Sequence, residues 1–456
     1  MTTIKPEYLR FLGTIILFAL SMSLRMGAVN NTVIDSPIRA DAATYYNYAL
    51  NLKYHHTYSR SKFSDNEPPP DAVSAPGYPV FLTPFVESPP TAFMLWRINL
   101  AQALLGSITV LLALSIFRSI MAEGWALGAG FLTAISPHLI SAGTYLLTET
   151  LFTMMMMLSL WVVVKMIRSN SKAIAFAAGL AIAATALTRP TLQYFIVPLI
   201  GMLLISRERG NNTRLAITLL AGFVLAFSPW VLRNLDAIGH TSDPTLMISA
   251  LHHGMYPDFR YQDLPESSGF PYRFNPRSKE ISSSRESILS EIRRRFEDEP
   301  ARHIQWYLLG KPISLLDWNI LAGMGDIFIY PVITSPYFSQ PLYVLPHNAM
   351  KLLHWPLTTL ALIATVLVWL PGFGKRLPGT ALFSARLLSL LMLYFIALHM
   401  VAAPFPRYGI PLRPVTYGLA LFLCSQVFIW LKSIALSEQT ATPDTNQTSV
   451  NTPRLN

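Results

Sequence analysis

The chain has 456 residues, 52% of them hydrophobic and only 13% charged, with a formal net charge of +10. A soluble globular chain carries about 25% charged residues, so the composition excludes an ordinary water-soluble domain and points to lipid as solvent. The positive excess then reports orientation and contact with anionic headgroups; no basic stripe with interleaved aromatics suggests a nucleic-acid surface, and the single cysteine, Cys424, excludes an internal disulfide and a cysteine-based metal site.

In chain order, Lys5 and Arg10 precede the apolar run 11–22. It reads as an uncleaved first transmembrane helix rather than a signal peptide, because Arg25 and Met26 stand where small residues would mark cleavage. A first long loop follows over about 29–92. It opens with the helix-like stretch Asp41–Leu50, passes through Pro68-Pro69-Pro70 and closes on Ser74-Ala75-Pro76-Gly77-Tyr78-Pro79. Further apolar runs lie near 93–117, 124–142, 146–166, 173–188, 190–206 and 214–232. The pair 173–188 and 190–206 is joined tightly at Thr188-Arg189-Pro190. A second long loop covers about 233–349. It holds a polar helix over 282–296, an amphipathic stretch 303–309 whose Trp306 and Tyr307 suit the interface plane, and an apolar segment near 313–333 that leaves room for an eleventh, partial or re-entrant span. The runs 350–370, 383–403 and 411–431 complete the set, and a Thr/Asn/Pro-rich tail, 437–456, reads as disordered. The expectation is an all-α integral membrane protein with about ten (10–13) transmembrane helices in one unit, 1–436.

Lysines and arginines of the short connections set the orientation. With the N-terminus inside, the inner side receives Lys5, Arg10, Arg118, Lys165, Arg168, Lys172, Arg207, Arg209, Arg214, Lys375, Arg376, Arg386 and Lys432. Both termini are then cytoplasmic and both long loops lie outside.

Chemistry-bearing residues concentrate on that outer face. Asp41 and Tyr45 are four apart and share a helix face; the carboxylate suits a general base toward an acceptor hydroxyl, or a first-turn aspartate beside the helix dipole. Glu149 stands at the mouth of an apolar helix, where a carboxylate is expensive unless it meets water or a partner. Arg189, Arg233, Arg407 and Arg413 lie at outer helix mouths, where guanidinium groups either grip phosphate or snorkel to headgroups. His55-His56 and His252-His253 read as loop histidines, because adjacent residues do not face one site. No Gly-rich phosphate cradle occurs, and no cytoplasmic segment is large enough for a nucleotide-binding domain.

Several passages resemble the GT-C superfamily of polyprenyl-phosphate-sugar-dependent glycosyltransferases. The likeness is to the bacterial, family-39-like branch related to protein mannosyltransferases and lipid A aminoarabinose transferases. They are Arg39-Ala40-Asp41-Ala42-Ala43-Thr44-Tyr45 with Pro76-Gly77-Tyr78-Pro79, Leu147-Thr148-Glu149-Thr150, Leu187-Thr188-Arg189-Pro190, Ser228-Pro229-Trp230-Val231-Leu232-Arg233-Asn234, and Arg407-Tyr408 with Pro411. The resemblance implies a polyprenyl-phosphate-sugar donor and transfer with inversion on the periplasmic face of a bacterial inner membrane. The acceptor is a lipid, a glycan or a protein. Asp41 is then the base, and Tyr45, Tyr78, Glu149, Arg189, Arg233, Arg407 and Tyr408 bind substrate. Many members carry two adjacent acidic residues in the first loop, whereas Asp41 is followed by Ala42, so the divalent metal of some relatives has no clear ligand set here. The competing expectations are an O-antigen-type polymerase or ligase, which would not need the Asp41 passage, and a transporter or flippase, which would show inverted repeats. No internal repeat is visible.

Overall fold

The computed structural model describes residues 6–205, 212–321, 323–375 and 377–441. In lipid the backbone must satisfy itself, so long apolar runs become helices. In order these are α1 (Pro6–Asn31), α2 (Ala40–His55), α3 (Gly77–Leu82), α4 (Ala92–Phe117), α5 (Glu123–Ile135), α6 (Pro137–Ala142), α7 (Glu149–Ser169), α8 (Lys172–Thr188), α9 (Ile196–Ile205) and α10 (Asn212–Ile238). The second loop carries α11 (Thr245–Gly254), α12 (Ser278–Ile281), α13 (Arg285–Asp298), α14 (Pro300–Gln305) and α15 (Lys311–Leu315), with one π-helical turn, Trp306–Gly310, joining the last two. Then come α16 (Pro341–Leu367), α17 (Pro371–Gly374), α18 (Gly379–Val401) and α19 (Arg413–Ala441).

All ten expected apolar runs are helical, but unequally. Seven of the described helices are long and apolar enough to cross a membrane: α1, α4, α7, α10, α16, α18, and α19 with the 3-10 stretch before it. α8 and α9 are apolar but shorter. The run 124–142 breaks in two at Ser136, whose backbone leaves the helical region before Pro137, as a residue preceding proline tends to do. α16 begins at Pro341, earlier than expected, because its first turns carry polar His347, Asn348 and Lys351 that mask the apolar run. The second loop is correspondingly shorter. α19 continues through Ala441, past the expected start of the tail at 437; residues 442–456 lie outside the described residues. The polar helix expected over 282–296 forms as α13, capped by the Ser284 side chain accepting from Ser287 N–H.

The described residues of the segment 318–333 form no helix. Three of its carbonyls are served by side chains: His138 Nε2 meets Trp318 O at 2.8 Å, Ser141 Oγ donates to Ile327 O at 3.1 Å and Tyr145 Oη to Tyr330 O at 3.4 Å, while those of Gly325, Asp326, Phe328 and Pro331 accept from backbone N–H groups. Such irregular backbone is tolerated only where protein buries and pairs it. The segment ends in β2 (Val332–Thr334), antiparallel to β1 (Val33–Ile34), with Val33 opposite Thr334 and Ile34 opposite Val332. This two-stranded clasp fastens the first loop to the second, so both lie at one end of the bundle. Arg233, on α10, adds a second fastening by donating to Asp71 O at 2.7 Å and Tyr58 O at 3.1 Å. Within the bundle, α8 and α10 meet at two glycines: a Cβ on Gly179 would stand 2.0 Å from Leu219 O, and one on Gly222 2.2 Å from Phe176 O. Small residues allow this approach, and close packing drives helix association in lipid.

Candidate active site

Four charged side chains converge beneath the two loops. Asp41 lies in the first turn of α2, where a carboxylate faces the positive end of the helix dipole. Arg407 enters from the 3-10 stretch Pro406–Leu412, which two prolines keep from becoming an α-helix. Its Nη2 donates to Asp41 Oδ2. Glu149 opens α7 and is almost fully buried. Its Oε1 lies 3.6 Å from Arg189 Nη1 and 3.8 Å from Arg407 Nε. Arg189 follows the last turn of α8 in an extended conformation, which Pro190 favours and which swings the guanidinium out of the helix. It settles 4.4 Å above the Tyr408 ring, while Arg407 lies 5.4 Å from the same ring. Such stacking suits guanidinium groups.

The result is a chain of alternating charge, Asp41, Arg407, Glu149 and Arg189, on an aromatic floor. Asp41 keeps 46% of its side-chain surface exposed, against 2% for Glu149; the exposed carboxylate is the one a substrate can reach. The Arg407 guanidinium beside Asp41 holds its carboxyl below the usual range, against the opposing push of burial, and Arg189 and His253 act in the same sense as Arg407. Tyr45, one turn after Asp41, meets Tyr78 edge-on at 5.2 Å. Burial first, then Asp41 and Glu149, push the Tyr45 hydroxyl well above its ordinary value, so it stays protonated.

The Pro76-Gly77 passage also reaches this place. A Cβ on Gly77 would stand 2.8 Å from Thr188 Cα and 2.9 Å from Leu187 O. Only glycine lets α3 press against the end of α8, immediately before Arg189. Tyr78 is fully buried, and its hydroxyl donates to Gln102 Oε1 at 3.1 Å. Arg233 lies with Tyr58 and Trp230, at 5.5 and 5.3 Å from their rings, and with the first-loop carbonyls, not with the charged chain. Arg413 is buried elsewhere, against His354 Nδ1 at 2.6 Å and Asp317 O at 2.9 Å. Among the described residues no three His, Cys, Asp or Glu side chains come together to hold a metal ion. Asp41 and Glu149 share Arg407 instead, so these residues do not fit a metal.

A family model described as dolichyl-phosphate-mannose-protein mannosyltransferase matches residues 91–232, from α4 to α10. Among solved structures, the archaeal oligosaccharyltransferase AglB from Archaeoglobus fulgidus, in complex with an inhibitory peptide and a dolichol-phosphate, superposes with TM-score 0.51. Its identity is 13%, over 96% of this chain and 52% of that one. The apo form of the Archaeoglobus fulgidus oligosaccharyltransferase gives 0.53 at 13%, over 95% and 52%. The chain has the GT-C fold. It spans about half the length of the GT-C structures it superposes on. ArnT from Cupriavidus metallidurans, bound to undecaprenyl phosphate, aligns at TM-score 0.38 and 13% identity, over 96% and 81%. No curated protein matches the sequence.

Two residues beside this candidate site were not assigned to it from the sequence. Tyr330 lies with its ring 5.8 Å from the Arg39 guanidinium. Burial, with Asp41 next, pushes its hydroxyl up to about 12. It belongs to the irregular segment 318–333, which has no period to read. His253 faces the Asp41 pair electrostatically, and burial pulls its imidazole below the ordinary value. It is not a loop histidine: His252 and His253 occupy the last turn of α11. His253 packs on Tyr272 at 4.3 Å and on Phe405 at 5.5 Å, two residues before Arg407.

Proposed function

We propose that the chain is a membrane glycosyltransferase that moves a sugar from a polyprenyl-phosphate-linked donor to a hydroxyl of a lipid, glycan or protein acceptor. The observation that carries this reading is the convergence of Asp41, Glu149, Arg189 and Arg407 at one mouth of the helix bundle, under loops that join 29–92 to 233–349. A lone carboxylate at a helix end is commonplace. A half-exposed carboxylate beside two stacked, largely buried guanidinium groups is a place for a phosphate leaving group and a hydroxyl nucleophile. The family-model description and the dolichol-phosphate in the AglB complex agree with such a donor.

In this mechanism Arg189 and Arg407 hold the donor phosphate, and their charge stabilises it as it departs. Asp41 accepts the proton of the acceptor hydroxyl. That oxygen bonds to the anomeric carbon as the carbon–oxygen bond to phosphate breaks, with inversion. The phosphate leaves with the bonding electron pair, and Asp41 ends protonated. Arg407 couples the two halves of the site. While it holds Asp41 the carboxylate is a poor base; a phosphate that draws Arg407 away makes Asp41 a better one. The active face is then the outer, periplasmic face of a bacterial inner membrane, with both termini cytoplasmic, in agreement with the basic short connections.

The deciding experiment is transfer by the purified chain in nanodiscs, with radiolabelled polyprenyl-phosphate sugars as donors. Donors and acceptors are chosen by comparing envelope lipids and glycans of a deletion strain with its parent. Labelled sugar in an acceptor, abolished in Asp41→Asn, is the expected result. A polymer lengthened from a diphosphate-linked oligosaccharide, with no transfer from any monophosphate-linked sugar, would replace this reading with a polymerase or ligase.

A further inference from the structure

Lys311 is unexplained by anything above. It opens α15 in the second loop and is fully buried, at 0% exposure. Among the described residues no carboxylate pairs with it; its Nζ lies 3.4 Å from the centre of the Tyr307 ring and donates to Val401 O at 3.1 Å. Burial pulls its amine down to about 6. A buried lysine costs stability that an apolar side chain of similar size would not. What it supplies is an N–H for one carbonyl.

That carbonyl opens a stretch with little hold on itself. α18 ends at Val401, and the last carbonyls of a helix have no partner within it. Pro404, Pro406 and Pro411 then keep the following residues, which carry Arg407 and Tyr408, from forming an α-helix. α15 holds this stretch on both sides of the arginine. Before it, Lys311 Nζ serves Val401 O, and Ser314 Oγ donates to Pro404 O at 3.2 Å. The two donors are three residues apart and so share one helix face. After it, Leu315 O closes on Gly409, where a Cβ would stand 2.2 Å from that oxygen. Other parts of the second loop add to the hold: a Cβ on Gly254 would stand 2.5 Å from Ala402 O, and Phe405 stacks on Phe259 at 4.6 Å.

We propose that Lys311 and Ser314 are positioning residues for the active site, which tie Val401 and Pro404 to α15 and so set Arg407 and Tyr408 against Asp41, Glu149 and Arg189. Neither side chain enters the chain of alternating charge; each acts through the backbone of 401–409. Arg407 faces both Asp41 and Glu149, and Tyr408 is the ring on which Arg189 rests. A shift of this stretch therefore loosens both guanidinium groups that grip phosphate. The second loop then supports the site from behind as well as covering it.

The test has a structural arm and a kinetic arm, and only the kinetic arm rests on the donor reading. Backbone hydrogen exchange of the full chain in nanodiscs, read on peptides covering 402–410, should be about fivefold faster in Lys311→Met than in the wild type, as loss of one hydrogen bond implies. With the polyprenyl-phosphate sugar as varied substrate, Lys311→Met should raise KM about fivefold with kcat within about twofold. Its thermal midpoint at neutral pH should equal or exceed that of the wild type, because the buried amine is gone. Lys311→Gln, which keeps an uncharged N–H, should recover most of the KM. Ser314→Ala should raise KM about threefold, and carries the test if Lys311→Met fails to fold. Unchanged exchange at 402–410 with unchanged KM in a folded Lys311→Met enzyme overturns the proposal, whatever its thermal midpoint. So does a Gln variant no better than Met, or, where Met does not fold, a Ser314→Ala enzyme of unchanged KM. If the wild type transfers no sugar from any such donor, the functional reading fails while the exchange still decides the brace.

Discussion

Replacing Asp41 with asparagine separates base chemistry from donor binding. The substitution keeps the shape and removes the charge, and it does two opposite things. Removing a positioned general base costs about 10²–10⁴ in rate, or about 3–5.5 kcal/mol of transition-state stabilisation. It also releases Arg407, which loses one of its two carboxylate partners. Asp41 is half exposed, so its pair with Arg407 is screened and is worth about 1 kcal/mol rather than the several of a buried pair. A freed Arg407 can place that amount on the donor phosphate, about a fivefold gain in affinity. The expected outcome is therefore kcat lower by about a thousandfold, with donor KM unchanged or up to about fivefold lower. Initial rates with labelled donor measure kcat and KM, and a non-hydrolysable polyprenyl phosphonate measures binding directly. Unchanged kcat would remove Asp41 from the chemistry. A KM raised as steeply as kcat falls would make Asp41 a binding residue and refute the base assignment.

Other expectations follow from the same geometry. Arg189→Ala removes a guanidinium stacked on Tyr408 and should weaken donor binding by about ten- to a hundredfold, as loss of a charge-assisted contact implies; equal affinity in a titration with polyprenyl phosphate would favour a headgroup-facing role instead. Because Arg407 depresses the Asp41 carboxyl, the acid limb of kcat/KM should lie below the ordinary aspartate value of about 3.9. In Arg407→Gln the effect of burial is opposed only by Arg189 and His253, and the limb should move up; an unmoved limb means that another group titrates. The linked stability has the same sign: the depressed carboxyl stabilises the fold above its unfolded-state pKa, and this is lost as pH falls through the folded one. Gly179→Val forces a Cβ to within 2.0 Å of a backbone carbonyl on α10. It should destabilise the bundle by about 1–3 kcal/mol or more, read as a lower thermal midpoint in detergent, while Gly201→Ala, where a Cβ meets open space, should not.

The sequence by itself determined the solvent, the helices and most of the reactive residues. The apolar runs had to become helices because lipid offers the backbone no other partner, and charge at their ends was informative because it is costly there. Glu149, Arg189 and Arg407 could each be singled out on that ground, whereas Asp41, in the first loop, stood out for the helix face it shares with Tyr45 and for the family resemblance. What local sequence could not decide was association. Asp41 and Arg407 are 366 residues apart, and nothing in either neighbourhood says that they form one pair, or that Arg233, with an equally suggestive place at a helix mouth, fastens a loop instead. Proline effects were legible in principle, yet whether Pro137 breaks a helix while Pro346 and Pro356 sit inside one is set by what packs around them. The irregular segment 318–333 has no period to read, and three of its carbonyls are paired by side chains from another part of the chain, which no local pattern announces. Lys311 marks the boundary most sharply. From sequence it is one lysine of a long loop, whereas the tertiary structure buries it against Val401 O, because only the packed bundle decides which buried polar groups meet.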